Sequence, residues 1–371
     1  MYGNVSEDNF SIPIACGWMT TTRSSFIGED FLLTLDPSSS CISMLRSKSF
    51  RQSPKAVGAT SGRDIASQSD EWGNSVVAGK FGDLLRCATV LLKTTVNGME
   101  VQIDLPGVSE EAYQAIAAVL EKHLASPSTK NRDAISESFL YALIQCPTAN
   151  ASELWHHVVY RLYCALLPRY RPQDPKQSWV RAGGDALEMT LEQWYSPILA
   201  PHGIRIKMLI GAADRKAALA EMGIAATVGA AKLDMTLHLD CQNRWIIFGG
   251  VHVKASLAER VSDDIPASRA MMAAGYYSPL WTLDVKSFPP PTGDLINRGE
   301  FGSLAVPSEK RRYIEEHGEF DACYTANSRS IPSLAETPSS KRIYSIRLSE
   351  QPDQFAQDVI ARAASARQRL R

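Results

Sequence analysis

The chain has 371 residues, with 39 Lys and Arg against 40 Asp and Glu and a formal net charge of −1. This balance excludes a global basic field, so any nucleic-acid binding must come from local clusters of Lys and Arg. The seven cysteines form no C-x-x-C pair and the N-terminus shows no signal-peptide pattern, which argues against a disulfide framework or a zinc site and favours a cytoplasmic location.

The segment 36–75 is rich in Ser, Gly and basic residues and poor in apolar ones. This composition predicts a loop or a partly disordered segment. Its basic side chains are candidate phosphate contacts, although a solvated loop is the simpler interpretation. They are Arg46, Lys48, Arg51, Lys55 and Arg63.

Two alternating apolar runs surround Asn97-Gly98, and they predict a β-hairpin because both turn residues tolerate positive φ. Ser109, followed by two glutamates, predicts the start of a helix that runs to about Leu124. A polar link then leads to a second helical segment, "ISESFLYALIQC". Residues 1–150 are therefore expected to form an α+β extension, with DNA contact or oligomerisation as its open roles.

After Ala149 long helices give way to helices that alternate with short apolar strands. We expect a helix over 152–167, whose adjacent histidines point to different sides and cannot serve one metal. A helix from about Gly184 to Leu199, a strand over 204–210, another helix and a strand from Leu233 follow. This order predicts a second domain, residues 151–371, with a mixed sheet flanked by helices.

The stretch "KLDMTLHLDCQNRWIIFGGVHVK" predicts two antiparallel strands joined by a short polar turn. Asp234 and Lys254 then become cross-strand neighbours, although an edge-strand aspartate and a surface lysine remain the alternative. Ser256 and Glu259 form a capping-box pattern that predicts a helix immediately after the lysine. A carboxylate next to a lysine suits metal-assisted phosphodiester hydrolysis, which needs hard oxygen ligands and a cation near the attacking water.

These motifs, over about 178–291, resemble the Type II restriction endonucleases of the PD-(D/E)XK superfamily, in the branch with a K-(T/A)-S-L-x-(E/D)-R helix that includes CCGG-type readers. The resemblance implies an α/β (α+β) nuclease core with a mixed central sheet. It also implies Mg²⁺-dependent, sequence-specific cleavage of double-stranded DNA by a homodimer or higher homo-oligomer. A cognate methyltransferase would be encoded alongside and not bound.

By this resemblance Asp234 binds Mg²⁺ and Lys254 is the catalytic lysine that polarises the attacking water. Ser256, Glu259 and Arg260 fall on the helix that such enzymes place in the DNA major groove. Arginine can donate two hydrogen bonds to guanine and glutamate can accept one from cytosine, so the implied site is a palindrome that contains G·C pairs.

His252 occupies the position, two before the lysine, where related enzymes usually carry an acidic residue. The branch compensates with a carboxylate from a helix. Glu188, which follows a glycine pair in "WVRAGGDALEMTLEQW", is the expected second metal ligand beside Asp234. Glu221 and Asp264 are the competing candidates.

A second pattern of the same kind, Asp284-Val-Lys286, lies further along the chain. The resemblance places it at the end of a structural strand. If it were catalytic instead, Asp263 or Asp264 would be its partner carboxylate.

The sequence leaves alternatives for the recognition site and for the type of nuclease or DNA-binding protein. Ala258 stands where CCGG readers usually carry a further arginine, so the resemblance implies no complete recognition sequence. A structure-specific repair nuclease of the same fold and a non-catalytic DNA-binding protein are the alternatives. Lys254→Ala would change at most the DNA affinity of such a binding protein.

Overall fold

The computed structural model describes residues 89–96, 99–229, 233–258, 261–286 and 297–369. The segment 36–75 with its five basic residues lies outside them. No helix in the described ranges is both long enough and apolar enough to cross a membrane.

The predicted hairpin is confirmed. Strands β1 (Thr89–Val96) and β2 (Met99–Pro106) pair antiparallel, with Val96 opposite Met99. The two residues between them, Asn97 and Gly98, lie outside the described residues. A connection of two residues is the length for which an Asn-Gly turn is most favourable.

Ser109 caps the first helix as expected, because its hydroxyl accepts a hydrogen bond from the Ala112 amide at 3.1 Å. Three helical elements follow the hairpin, and the third contains a π-helical stretch between two α-helical parts. They are α1 (Glu110–Ala125), α2 (Asn131–Gln145) and α3, which comprises Ala151–Glu153, Leu154–Tyr160 and Arg161–Tyr170.

Helix α4 (Pro175–Leu199) begins well before the predicted start near Gly184. The side chain of Asp174 accepts a hydrogen bond from the Gln177 amide at 2.7 Å, and a proline follows the cap. Both features favour a helix start at this point. The glycine pair therefore lies inside the helix and does not begin it.

The central sheet is mixed, as predicted, with the order β3-β4-β5-β6-β7-β8. The first three strands are antiparallel and the last four are parallel to one another. The strands are β3 (Ile204–Met208), β4 (Met235–Cys241), β5 (Arg244–Lys254), β6 (Leu280–Thr282), β7 (Cys323–Thr325) and β8 (Ile343–Ser345).

A short 3-10 helix (Ala200–His202) follows α4. Four further α-helices lie in the described ranges: α5 (Gly211–Glu221), α6 (Val261–Ala273), α7 (Glu309–Glu315) and α8 (Gln354–Arg369). The alternation of helices and strands after residue 200 follows the predicted order.

The helix predicted to start at Ser256 begins at Val261, so placing Ser256 on that helix was wrong. The Ser256 hydroxyl accepts from the Ala258 amide at 3.2 Å and donates to Glu300 at 2.7 Å. These bonds form a turn instead of a helix cap. Glu259 and Arg260, the rest of the predicted capping box and base-reading set, lie outside the described residues.

Helices cover both sides of the sheet. In β6, Trp281 joins the main hydrophobic cluster with α4 and α8, whereas its neighbour Leu280 joins a smaller cluster with α6 and α7. Successive strand side chains point to opposite faces, so these clusters lie on opposite sides. The main cluster also contains residues of β1, β2 and α1 to α3.

The described residues belong to one compact unit. The predicted boundary between residues 150 and 151 falls within this unit. A separate role for residues 1–150 stays a prediction.

Strand β5 approaches the segment before β6 closely at Gly249. A Cβ on Gly249 would lie 2.6 Å from the backbone oxygen of Tyr277, whereas one on Gly184 of α4 would meet no atom within 4 Å. We expect Gly249→Ala to lower the free energy of unfolding by about 1–3 kcal/mol. Gly184→Ala should raise it by about 0.5–1 kcal/mol. Urea unfolding measures both, and equal effects would contradict this packing.

Candidate active site

The centre of the candidate site is the ammonium group of Lys254, at the end of β5. Its Nζ lies 3.0 Å from Asp234 Oδ2 and 2.7 Å from Asp264 Oδ2. Asp234 precedes β4, and Asp264 belongs to the first turn of α6. Two strands and a helix thus bring together one cation and two carboxylates, and the predicted neighbours Asp234 and Lys254 are in contact.

The position of Asp234 is fixed by the sheet. Its Oδ2 accepts a second hydrogen bond from the Val253 amide at 2.8 Å, and its own carbonyl accepts from the Leu209 amide at 3.1 Å. Gln242 and Asn243, which connect β4 to β5, both adopt the positive φ of a tight hairpin turn, and the register of the two strands shifts between Leu237 and His238.

His252 lies fully buried beside Asp264. Its Nδ1 is 3.7 Å from Asp264 Oδ2, and its Nε2 is 3.1 Å from the hydroxyl of Ser278. The Ser278 hydroxyl lies 2.8 Å from that of Ser268 on α6. The histidine therefore lies next to the Asp264 carboxylate but beyond hydrogen-bond distance from it, a proximity that the sequence motif did not indicate.

Charge pairing sets the protonation of this cluster. Burial would lower the pKa of Lys254, but Asp234 and Asp264 outweigh it and raise the pKa to about 12. Burial would raise the pKa of Asp264, but His252 and Lys254 outweigh burial, so the pKa of Asp264 lies below its usual value. The cluster thus holds an ammonium next to an ionised aspartate at neutral pH.

Glu188 on α4 is buried, and its Oε2 has no hydrogen-bond partner among the residues that the structure describes. Burial, followed by the charges of Asp234 and Asp185, raises its pKa to about 9, while Arg215 and Lys254 act in the opposite direction. The charges of Asp234 and Lys254 therefore act on Glu188, and Glu188 holds a proton at neutral pH.

Three side chains could hold a metal ion together: Asp234, His252 and Asp264 each offer one ligand atom, and these atoms lie within 4.8 Å of one another. The predicted ligand Glu188 is not in this group. The other competitor, Glu221, lies at the opposite end of β5, where its Oε1 accepts from the Ile247 amide at 3.3 Å. Of the two competing carboxylates, Asp264 contacts Lys254.

The second motif has the hydrogen bonds of a structural side chain. Asp284 is buried, and its two carboxylate oxygens accept from the Glu300 amide at 2.8 Å and from the Ser330 hydroxyl. Burial raises the pKa of Asp284 to about 7. The Lys286 amide donates to Asn297 at 3.0 Å. Asp264, the alternative partner of this motif, is paired with Lys254 instead.

Comparison with known proteins establishes the family. The family described as BsaWI restriction endonuclease type 2 matches residues 212–352. The Type II restriction enzyme AgeI of Thalassovita gelatinovora is 47% identical over 273 residues, which cover 72% of this chain and 97% of AgeI. The chain belongs to the Type II restriction endonucleases. The resemblance inferred from the sequence is confirmed, and the enzyme is a site-specific deoxyribonuclease.

Two solved structures of this restriction endonuclease family are similar to the chain. An AgeI–DNA complex aligns with a TM-score of 0.69 and 46% identity, over 74% of this chain and 99% of AgeI. A pre-specific BsaWI–DNA complex aligns with a TM-score of 0.38 and 19% identity, over 70% of this chain and 94% of BsaWI, too low for a comparison of fold. The AgeI alignment confirms the predicted nuclease fold.

Glu188→Gln should stabilise the metal-free endonuclease at alkaline pH. With a folded pKa of about 9 and an unfolded pKa of 4.5, wild-type stability falls as pH rises through this interval, because only the unfolded chain releases the proton. A glutamine has no such penalty. We expect a gain of roughly 2–4 kcal/mol at pH 8 that shrinks towards pH 5.

Denaturant unfolding at both pH values, with a chelator present, measures this gain. The control is Glu316→Gln, which changes an exposed glutamate and should have no pH-dependent effect. Destabilisation by Glu188→Gln at pH 8 would show that the buried carboxyl has a partner there.

Proposed function

We propose that this restriction endonuclease cleaves double-stranded DNA with Mg²⁺ at a site formed by Asp234, Glu188 and Asp264, with Lys254 as the catalytic cation. The observation that carries the proposal is the position of Lys254 Nζ, within 3.0 Å of carboxylate oxygens from the residue before β4 and from helix α6. This combination of donors and cation is what phosphodiester hydrolysis requires.

The residues present fit a hard divalent ion. Carboxylate oxygens are the donors that Mg²⁺ prefers, and a buried carboxylate such as Glu188, without a partner in the described chain, is costly unless it binds a cation or a proton. His252 is not needed as a ligand, because imidazole suits softer metals. When bound, the ion polarises the phosphate and acidifies water.

Lys254 acts as a fixed positive charge. In the metal-free site the ammonium is protonated, because Asp234 and Asp264 raise its pKa to about 12, so it can donate hydrogen bonds to an attacking water or a phosphate oxygen. Asp234 and Asp264 hold the ammonium from two sides, which pre-organises it for the developing negative charge of the transition state.

Duplex DNA is the proposed partner, supported by the DNA complex of the similar enzyme AgeI. Ser256, Glu259 and Arg260 would contact base edges at a G·C-containing palindrome. A homodimer or higher homo-oligomer would place one site on each strand. Residues 1–150 would serve DNA contact or assembly. We place the enzyme in the cytoplasm, with a cognate methyltransferase protecting host DNA.

Lys254→Ala should abolish cleavage, whereas Lys286→Ala should retain it. Purified protein is incubated with long unmethylated duplex DNA, with and without Mg²⁺, and the fragments are resolved on a gel. We expect discrete, Mg²⁺-dependent fragments for wild type and Lys286→Ala only. Loss of cleavage only in Lys286→Ala would place the active site at Asp284, and degradation without discrete fragments would contradict the proposed sequence-specific cleavage.

Neighbouring aspartates provide a matched test of the helical ligand. Asp264→Asn removes a buried carboxylate that contacts Lys254, whereas Asp263→Asn changes its exposed neighbour. We expect the first variant to lower the single-turnover cleavage rate by roughly a hundredfold or more and the second to change it little. Equal rates in the two variants would remove Asp264 from the proposed site.

A further inference from the structure

One buried carboxylate holds the chain immediately after Lys254. Glu300 Oε1 accepts hydrogen bonds from the Ser256 hydroxyl at 2.7 Å and from the Leu257 amide at 2.8 Å. Its other oxygen, Oε2, forms an ion pair with Lys310 Nζ at 3.1 Å. The Glu300 side chain is only 8% exposed, so these charge-assisted bonds are shielded from water.

Glu300 is itself anchored by the Asp284 motif. The Glu300 amide donates to Asp284 Oδ1 at 2.8 Å. The preceding residue, Gly299, has φ of 74°, and a Cβ there would lie 1.9 Å from Asp284 Oδ2. Only glycine allows this approach. The Asp284 carboxylate also accepts a hydrogen bond from the Ser330 hydroxyl, so it connects the chain at Glu300 with the chain at Ser330.

Backbone bonds tie the same two regions together. The Leu283 amide donates to the Lys254 carbonyl at 3.1 Å, and the Val285 amide donates to the Ala255 carbonyl at 2.9 Å. The backbone of residues 254 and 255 is thus fixed by the strand end at 283–285. Further along, Ser256 and Leu257 are held by Glu300.

We propose that Glu300 is a positioning residue for sequence discrimination, and that Asp284 acts through it. This inference rests on the proposed function, in which Ser256 and the residues that follow it contact base edges. Glu300 fixes the chain at Ser256 and Leu257 and so sets the direction in which the base-reading segment leaves the catalytic lysine.

Discrimination should be more sensitive to this contact than cleavage itself. Base recognition depends on hydrogen bonds whose loss at a single wrong base pair weakens binding roughly five- to hundredfold. A loop that moves by a fraction of an ångström weakens these bonds with the correct base and relaxes the rejection of wrong ones. Lys254, by contrast, is held by Asp234 and Asp264 independently of Glu300.

The test compares kcat/KM for the duplex with the recognition site and for duplexes with one altered base pair. We expect Glu300→Ala to lower, by about tenfold, the ratio of kcat/KM for the recognition site to kcat/KM for an altered site. Glu300→Gln should retain most of the discrimination, because its amide oxygen can still accept both bonds. Glu316→Ala, which removes an exposed glutamate after α7, is the control and should leave the ratio unchanged.

A purely structural role would slow cleavage of both duplexes in the same proportion, and an unchanged ratio in Glu300→Ala would overturn the inference. If Glu300→Ala does not fold, Glu300→Asp replaces it, because aspartate keeps the charge but is one carbon too short to reach both donors. The discrimination ratio of Glu300→Asp should also fall. An unchanged ratio would overturn the inference. Wild-type enzyme without sequence preference would instead refute the proposed function.

Discussion

The pairing of one ammonium with two carboxylates organises this enzyme. A lysine that is only 17% exposed is costly unless its charge is compensated, and Lys254 is compensated by Asp234 from the sheet and by Asp264 from α6. The pairing requires that β4 and β5 keep their register and that α6 begins near the end of β5. The central part of the fold can thus be understood as the support for one charged contact.

Local patterns predicted much of the fold. The hairpin, the mixed sheet and the contact between Asp234 and Lys254 follow from apolar alternation and short turns, which act over neighbouring residues. The start of α6 was not predictable in this way, because the Ser256 hydroxyl is bonded to Glu300, 44 residues away in sequence. The proximity of His252 to Asp264 likewise depends on how α6 packs on the sheet.

Two buried carboxyls show why a motif alone does not locate a site. Burial raises the pKa of both Glu188 and Asp284. Glu188 has an oxygen without a hydrogen-bond partner in the described chain, whereas both Asp284 oxygens are bonded to Glu300 and Ser330. A carboxyl of the first kind is available to a cation, and one of the second kind holds structure. The D-V-K pattern at 284–286 belongs to the second kind.

A crystal structure of the enzyme with duplex DNA and Mn²⁺ tests the proposed metal site most directly, because the anomalous signal locates the metal. We expect a peak bound by Asp234, Glu188 and Asp264, with Lys254 Nζ next to the scissile phosphate. A peak at Asp284, or a metal-bound complex in which Lys254 lies away from the phosphate, would contradict it.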